Sequence, residues 1–204
     1  MIPGIVMIRG DVRVKIKDVW TSFEYQPLRT YEISDWDAMV NEIEEWISED
    51  VVRKAVAFAN GWTVILDPEI VMPDDVRLCG QIAATLKTDV ATVIHSEDSV
   101  SGFFVFDPDL RRGYKMSRGK VDTNEGTPLP VEVSMNLERL GERDLLAFLA
   151  SFGVDFETLR NFGPFQVWEL DESMPATNIE VEEPRPHVPA ASARPTIAKP
   201  WWKF

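Results

Sequence analysis

His95 stands in the segment Ile94-His95-Ser96-Glu97-Asp98-Ser99, which gathers an imidazole, hydroxyls and carboxylates. Such a set could supply a general base, an acid to orient it and a nucleophile. Neighbouring residues on a strand or turn point in different directions, however, so the string alone is not a triad. No G-x-S-x-G elbow accompanies it, and a hairpin turn accounts for it equally well. Paired carboxylates recur in Asp67-Pro68-Glu69 and Asp107-Pro108-Asp109. Neither has the D-x-D-x-D-G spacing of a calcium loop, and both read as turns leaving strands, with Pro fixing φ. Two His and the single Cys79 cannot build a typical structural zinc site. The glycines are scattered rather than gathered into a phosphate-cradling loop. The residues thus predict no catalytic set, no metal and no cofactor. The enzymatic alternative is a small hydrolase or transferase using His95 with carboxylates of the 97–109 region.

Charge is the stronger signal. The chain carries 21 Lys and Arg against 34 Asp and Glu, a formal net charge of −13. Such a surface repels nucleic acid and anionic lipid, whose phosphates need basic neutralisation, and it steers basic partners inward. The densest acidic stretch begins at Asp35. Asp37, Glu42, Glu44, Glu45, Glu49 and Asp50 fall within it without one Lys or Arg, while Trp36, Met39, Val40, Ile43, Trp46 and Ile47 recur at helical spacing. The predicted helix therefore has an apolar face and an acidic face. Exposed helices normally gain support from Glu–Lys pairs four residues apart, whereas Glu45 and Glu49 are like charges at that spacing. The missing counter-charge marks this face as a docking surface for a basic protein.

These residues need a scaffold. Val12, Val14 and Ile16 alternate with Arg13, Lys15 and Lys17, which predicts a half-buried strand paired with Ile5–Ile8. Asn60-Gly61 and Arg118-Gly119 predict hairpin turns. Further strands are expected at 53–59, 62–67, 90–94, 101–106, 114–117, 120–122 and 165–170. Helices are expected at 35–48, 75–87 and 142–152, and a shorter one runs from its cap Asp155 to Asn161. Hairpins interspersed with helices define an α+β fold, a mainly antiparallel sheet covered by helices over residues 1–170. Trp20, Trp36, Trp46, Trp62 and Trp168 belong to its core. No apolar run is long enough to span a bilayer, the N-terminus lacks the basic region of a secretory signal, and a lone Cys suits a reducing cytoplasm.

The stretch Gly61-Trp62-Thr63-Val64-Ile65-Leu66-Asp67, the strand Val90–Ile94, Ser101-Gly102-Phe103-Phe104 and Gly126-Thr127-Pro128-Leu129-Pro130 together resemble a family of uncharacterised bacterial proteins. Some of these resemble the immunity partners carried beside polymorphic or contact-delivered toxins. The resemblance spans roughly residues 55–170 and rests on hydrophobic pattern and turns. It implies an acidic α+β binding protein whose partner is basic, a nuclease-type toxin among the candidates, and it carries no catalytic residue across. A DNA-mimic inhibitor from a mobile element is a further alternative, with carboxylates spaced like duplex phosphates.

Beyond residue 170 the composition shifts. Six of the fourteen prolines lie there, among Ala, Ser, Thr and Glu, so residues 171–204 read as an extended Pro-rich tail. It nevertheless ends in Trp201, Trp202 and Phe204, flanked by Lys199 and Lys203. Three aromatics can bury roughly 150–250 Å² each, enough at about 25 cal/mol/Å² to hold a short peptide in a groove. The tail end is therefore expected to dock on its own domain or on a second copy of the chain. Deleting residues 199–204 should remove a blue-shifted component of Trp emission and lower the melting temperature or the oligomeric mass. Loss of a water-like emission alone, with both other quantities unchanged, would contradict docking.

Overall fold

A computed structural model describes residues 4–45, 47–48, 50–96, 99–107, 109–161 and 163–172. Nine strands, β1 (Gly4–Arg9), β2 (Gln26–Ile33), β3 (Val51–Ala59), β4 (Trp62–Asp67), β5 (Val90–Ser96), β6 (Val100–Asp107), β7 (Asp109–Ser117), β8 (Lys120–Gly126) and β9 (Phe165–Asp171), form one antiparallel sheet. Their order is β2-β9-β3-β4-β1-β5-β6-β7-β8. The helices are α1 (Ile16–Ser22), α2 (Trp36–Glu44), α3 (Val71–Asp74), α4 (Val76–Leu86), α5 (Glu142–Ser151) and α6 (Phe156–Asn161). The α+β reading holds, and the sheet is covered on both faces.

Strand β1 explains why. Ile5 and Met7 point to one side and Val6 and Ile8 to the other, and all four are fully buried. A strand alternates its side chains, so a continuous apolar run needs a cover on each face. On the first face α2 contributes Trp36, Met39 and Ile43, and α5 contributes Leu145, Phe148 and Leu149. On the second, α1 contributes Ile16, Val19 and Trp20, and α4 contributes Cys79, Ile82 and Ala83.

Local chemistry sets the connections. Asn60 and Gly61 adopt φ of 49° and 83°, and Arg118 and Gly119 adopt 50° and 74°. Both pairs join strands in direct register, Ala59 to Trp62 and Ser117 to Lys120. Asp35, Asp75 and Asp155 each accept a backbone N–H three residues on, at 2.8, 2.9 and 2.7 Å, and so cap α2, α4 and α6. The four described core Trp residues, Trp20, Trp36, Trp62 and Trp168, are buried.

The predicted strand over residues 12–16 is instead a 3-10 turn, Arg13–Lys15, leading into α1. Thr63 diverts the chain, its hydroxyl accepting the Val12 N–H at 2.9 Å and donating to the Gly10 carbonyl at 2.8 Å. Val14 is left 95% exposed, and the helical spacing of Ile16, Val19, Trp20 and Phe23 prevails over the shorter alternation. Strand β1 accordingly pairs with β4 and β5 rather than with this segment. Strand β2 was not anticipated. It is an edge strand with Pro27, a bulge and mostly exposed residues, and it pairs only with β9. At the opposite edge β8 reads Lys-Val-Asp-Thr-Asn-Glu-Gly and is almost wholly exposed.

Burial on both faces also traps charge. Lys54 and Asp67 are both fully buried, 2.6 Å apart, and Glu69 approaches the same ammonium at 2.9 Å. The Asp67 carboxylate further accepts the Met72 N–H at 2.7 Å and the Glu69 N–H at 3.1 Å, which fixes the corner between β4 and α3. Removing one partner of such a pair strands the other. Lys54→Met should therefore lower unfolding free energy by about 3–5 kcal/mol in urea titrations, and Lys54→Met/Asp67→Asn should lose less than the single variant. Equal losses for the two would show that Asp67 is not stranded.

Candidate functional site

The acidic face predicted for residues 35–50 is organised differently from a continuous helix. Helix α2 ends at Glu44, Glu45 is already extended (φ −70°, ψ 122°), and Ser48 bridges to Val51. Asp37, Glu42 and Glu44 lie on the helix, Glu45 just beyond it, and Asp50 in the exposed approach to β3. Glu49, with Trp201, Trp202 and Phe204, falls outside the described residues. Glu45, expected inside the helix, lies beyond its end.

The absent counter-charge is supplied across space. Arg53, on β3, places Nη1 3.0 Å from a Glu42 carboxylate oxygen and 3.2 Å from Glu45. The same nitrogen donates to the Glu42 carbonyl at 3.1 Å. Glu42 also accepts the Tyr31 hydroxyl at 2.6 Å, and burial together with this bond pushes the phenol's pKa up. On its other side Arg53 donates to Glu169 at 2.8 and 2.9 Å, and Glu169 is gripped in turn by Arg29. Asp37 lies 3.8 Å from Arg160 of α6. The acidic edge is thus a braced network rather than an unsupported run. Asp37 and Glu45 remain 78% and 68% exposed, and Glu44 and Asp50 have no ion-pair partner among the described residues.

Arg53 and Glu169 were not read from the sequence as site residues. The available signal was a charged pair, Arg53-Lys54, inside the apolar run Val51–Ala59, because a buried cation needs a carboxylate.

His95 lies elsewhere, on β5, opposite Ser101 of β6. Its Nδ1 is 3.0 Å from the Ser101 hydroxyl, and both residues are buried. They line a cavity of about 520 Å³ between the β5–β6 and β7–β8 turns and the 3-10 turn Leu137–Arg139. The Arg118 N–H donates to the Ser99 carbonyl at 2.8 Å and joins the two hairpin turns. Of the carboxylates expected to serve His95, the two described ones, Asp107 and Asp109, are not assembled around it. Asp107 is six residues along β6 from Ser101, about 20 Å at the rise of a strand, and Asp109 follows it across the next turn. Glu97, Asp98 and His187 lie outside the described residues. Arg112, half of the compact basic pair Arg111-Arg112, is buried and holds Glu132 through two bonds of 2.7 and 2.8 Å.

Among the described residues no cluster of three or more His, Cys, Asp or Glu could hold a metal ion. No described helix is long and apolar enough to cross a membrane. Compared with protein-family models, curated proteins and solved structures, the chain matches none.

Hydrogen bonds from Arg29, burial working against them, and the bonds from Arg53 leave the Glu169 carboxyl below its ordinary pKa. A depressed carboxyl stabilises the fold above its unfolded pKa of about 4.3 and loses that contribution as pH falls through the lower folded value. Glu169→Gln should therefore cost about 2 kcal/mol at neutral pH, and the gap from the wild type should close below about pH 4. Denaturant titrations at pH 7 and pH 3.5 measure both quantities, and a gap that persists undiminished in acid would contradict the assignment.

Proposed function

We propose that the chain is a non-catalytic binding protein of the bacterial cytoplasm that captures and neutralises a basic protein, most specifically as the immunity partner of a nuclease-type toxin. The observation that carries this reading is the braced acidic edge. Arg53 ties Glu42 and Glu45 to the sheet from beneath, while Asp37, Glu45 and Asp50 are exposed and Glu44 is half-buried. An anionic rim on a rigid support steers a cationic partner and fixes its register, and apolar contacts nearby supply the affinity. The hydrophobic pattern and turns over residues 55–170, which resemble uncharacterised bacterial proteins that are in part immunity-like, point the same way.

A second reading, hydrolase or transferase chemistry, draws on the 3.0 Å contact between His95 and Ser101 at the cavity. The two readings separate experimentally. The partner to try first is the product of the gene next to this one, which should be basic and should be inhibited on mixing. Stopped-flow association at low salt should slow about tenfold in Glu44→Lys/Glu45→Lys/Asp50→Lys, with a shallower salt dependence. His95→Ala should leave the association rate and the inhibition unchanged. An unaltered rate in the triple variant removes this edge from the interface, and loss of function in His95→Ala favours the enzyme.

A further inference from the structure

We infer that Asn60 is a site of spontaneous chemical modification, losing its side-chain amide to attack by Gly61, and that the conversion frees the end of α5 from the β3–β4 turn. This property is independent of partner capture. Six asparagines occur in the chain, and only Asn60 precedes a glycine. The neighbour matters because the attacking atom is the backbone nitrogen of the next residue, and a side chain there obstructs it. The other asparagines precede Glu, Leu, Phe or Ile. Asn60 and Gly61 are both exposed, and a Cβ on Gly61 would meet nothing within 4 Å. The Gly61 N–H stands in the turn, outside the ladder that ends at Ala59 and Trp62.

The step needs no co-reactant except water. The Gly61 nitrogen bonds to Cγ of Asn60, and the Cγ–Nδ2 bond breaks. Ammonia departs with the proton that the Gly61 nitrogen gives up, leaving a five-membered succinimide. Water then opens the ring at either carbonyl and yields an aspartate or an isoaspartate at position 60. Attack requires the side chain to leave its present partner, because Asn60 Nδ2 donates to the Gly153 carbonyl at 2.6 Å. One exposed hydrogen bond is a modest restraint, and turn tips open locally at little cost. The bond therefore retards the reaction without blocking it.

The same bond gives the conversion its consequence. Just beyond α5, the consecutive carbonyls of Phe152 and Gly153 accept from Trp62 Nε1, at 3.1 Å, and from Asn60. Carbonyls at a helix C-terminus lack partners within the helix and carry its negative pole. An ionised carboxylate at position 60 has no hydrogen to donate and sets like charge against that pole. Isoaspartate also lengthens the main chain by one carbon, in a two-residue turn held at φ of 49° and 83°.

The test incubates the full chain, folded, at mildly alkaline pH beside the same chain unfolded in guanidinium chloride. Peptide mass mapping with an isoaspartate assay follows each asparagine. Asn60 should convert first in the folded chain, ahead of the other asparagines. The variant Asn60→Asp should melt about 2–4 °C lower at neutral pH. Hydrogen exchange of the Gly153 and Val154 amides, which bond the Ala150 and Leu149 carbonyls, should quicken in the same variant. An Asn60 still wholly intact in the folded chain once it has fully converted in the unfolded one would overturn the site, as would earlier conversion of another asparagine. Unchanged melting and exchange in Asn60→Asp would overturn the release of α5.

Discussion

The architecture depends on one constraint: the central strands β1 and β4 have no solvent face. Ile5-Val6-Met7-Ile8 is apolar on both sides, and its neighbour Trp62–Asp67 is buried throughout. Water must be excluded from two surfaces at once, so helices have to arrive from both directions. This requirement decides which segments become helices. Residues 16–22 follow a helical stripe because the face formed by Val6, Ile8 and Ile65 needs a lid, and Ile16, Val19 and Trp20 provide it.

The same constraint governs the charges. A cation inside a doubly covered sheet survives only with a carboxylate held against it. Lys54 meets Asp67, Arg112 meets Glu132 and Arg53 meets Glu169. Each pairing takes a basic side chain away from the exterior. It also fastens a segment, namely the corner before α3, the loop through residues 127–134 and the end of α2. Each pair is neutral, so the acid excess of the chain is left to the exterior undiminished.

Much of the scaffold was legible because its signals are local. Asn60-Gly61 and Arg118-Gly119 mark turns through backbone conformations that few residues adopt. Asp35, Asp75 and Asp155 mark helix starts through a bond only three residues long. What escaped the sequence was non-local or ambiguous. Val12, Val14 and Ile16 satisfy a strand period, and only the Thr63 hydroxyl, some fifty residues away, redirects them. Strand β2 lacks apolar alternation because it has a single neighbour. The acidic helix reads as unsupported in sequence because Arg53 and Arg160 reach it from other elements. Likewise, the cavity draws on residues 95–101, 116–119 and 138–140, and no spacing rule connects these three segments.

The two outer strands carry a consequence for how copies of the chain coexist. An open sheet ends in rows of unsatisfied backbone groups, and flat apolar margins recruit further strands and grow into fibres. Here Pro27 removes a donor from β2 and a bulge breaks its line, while Arg29 and Glu32 add charge. At the far margin Lys120, Asp122 and Glu125 stud β8, which stops at Gly126, where any larger side chain would collide with the Arg111 carbonyl. Both margins are thus poor templates. The nine strands terminate as a finite object, and crowded copies repel one another instead of polymerising edge to edge.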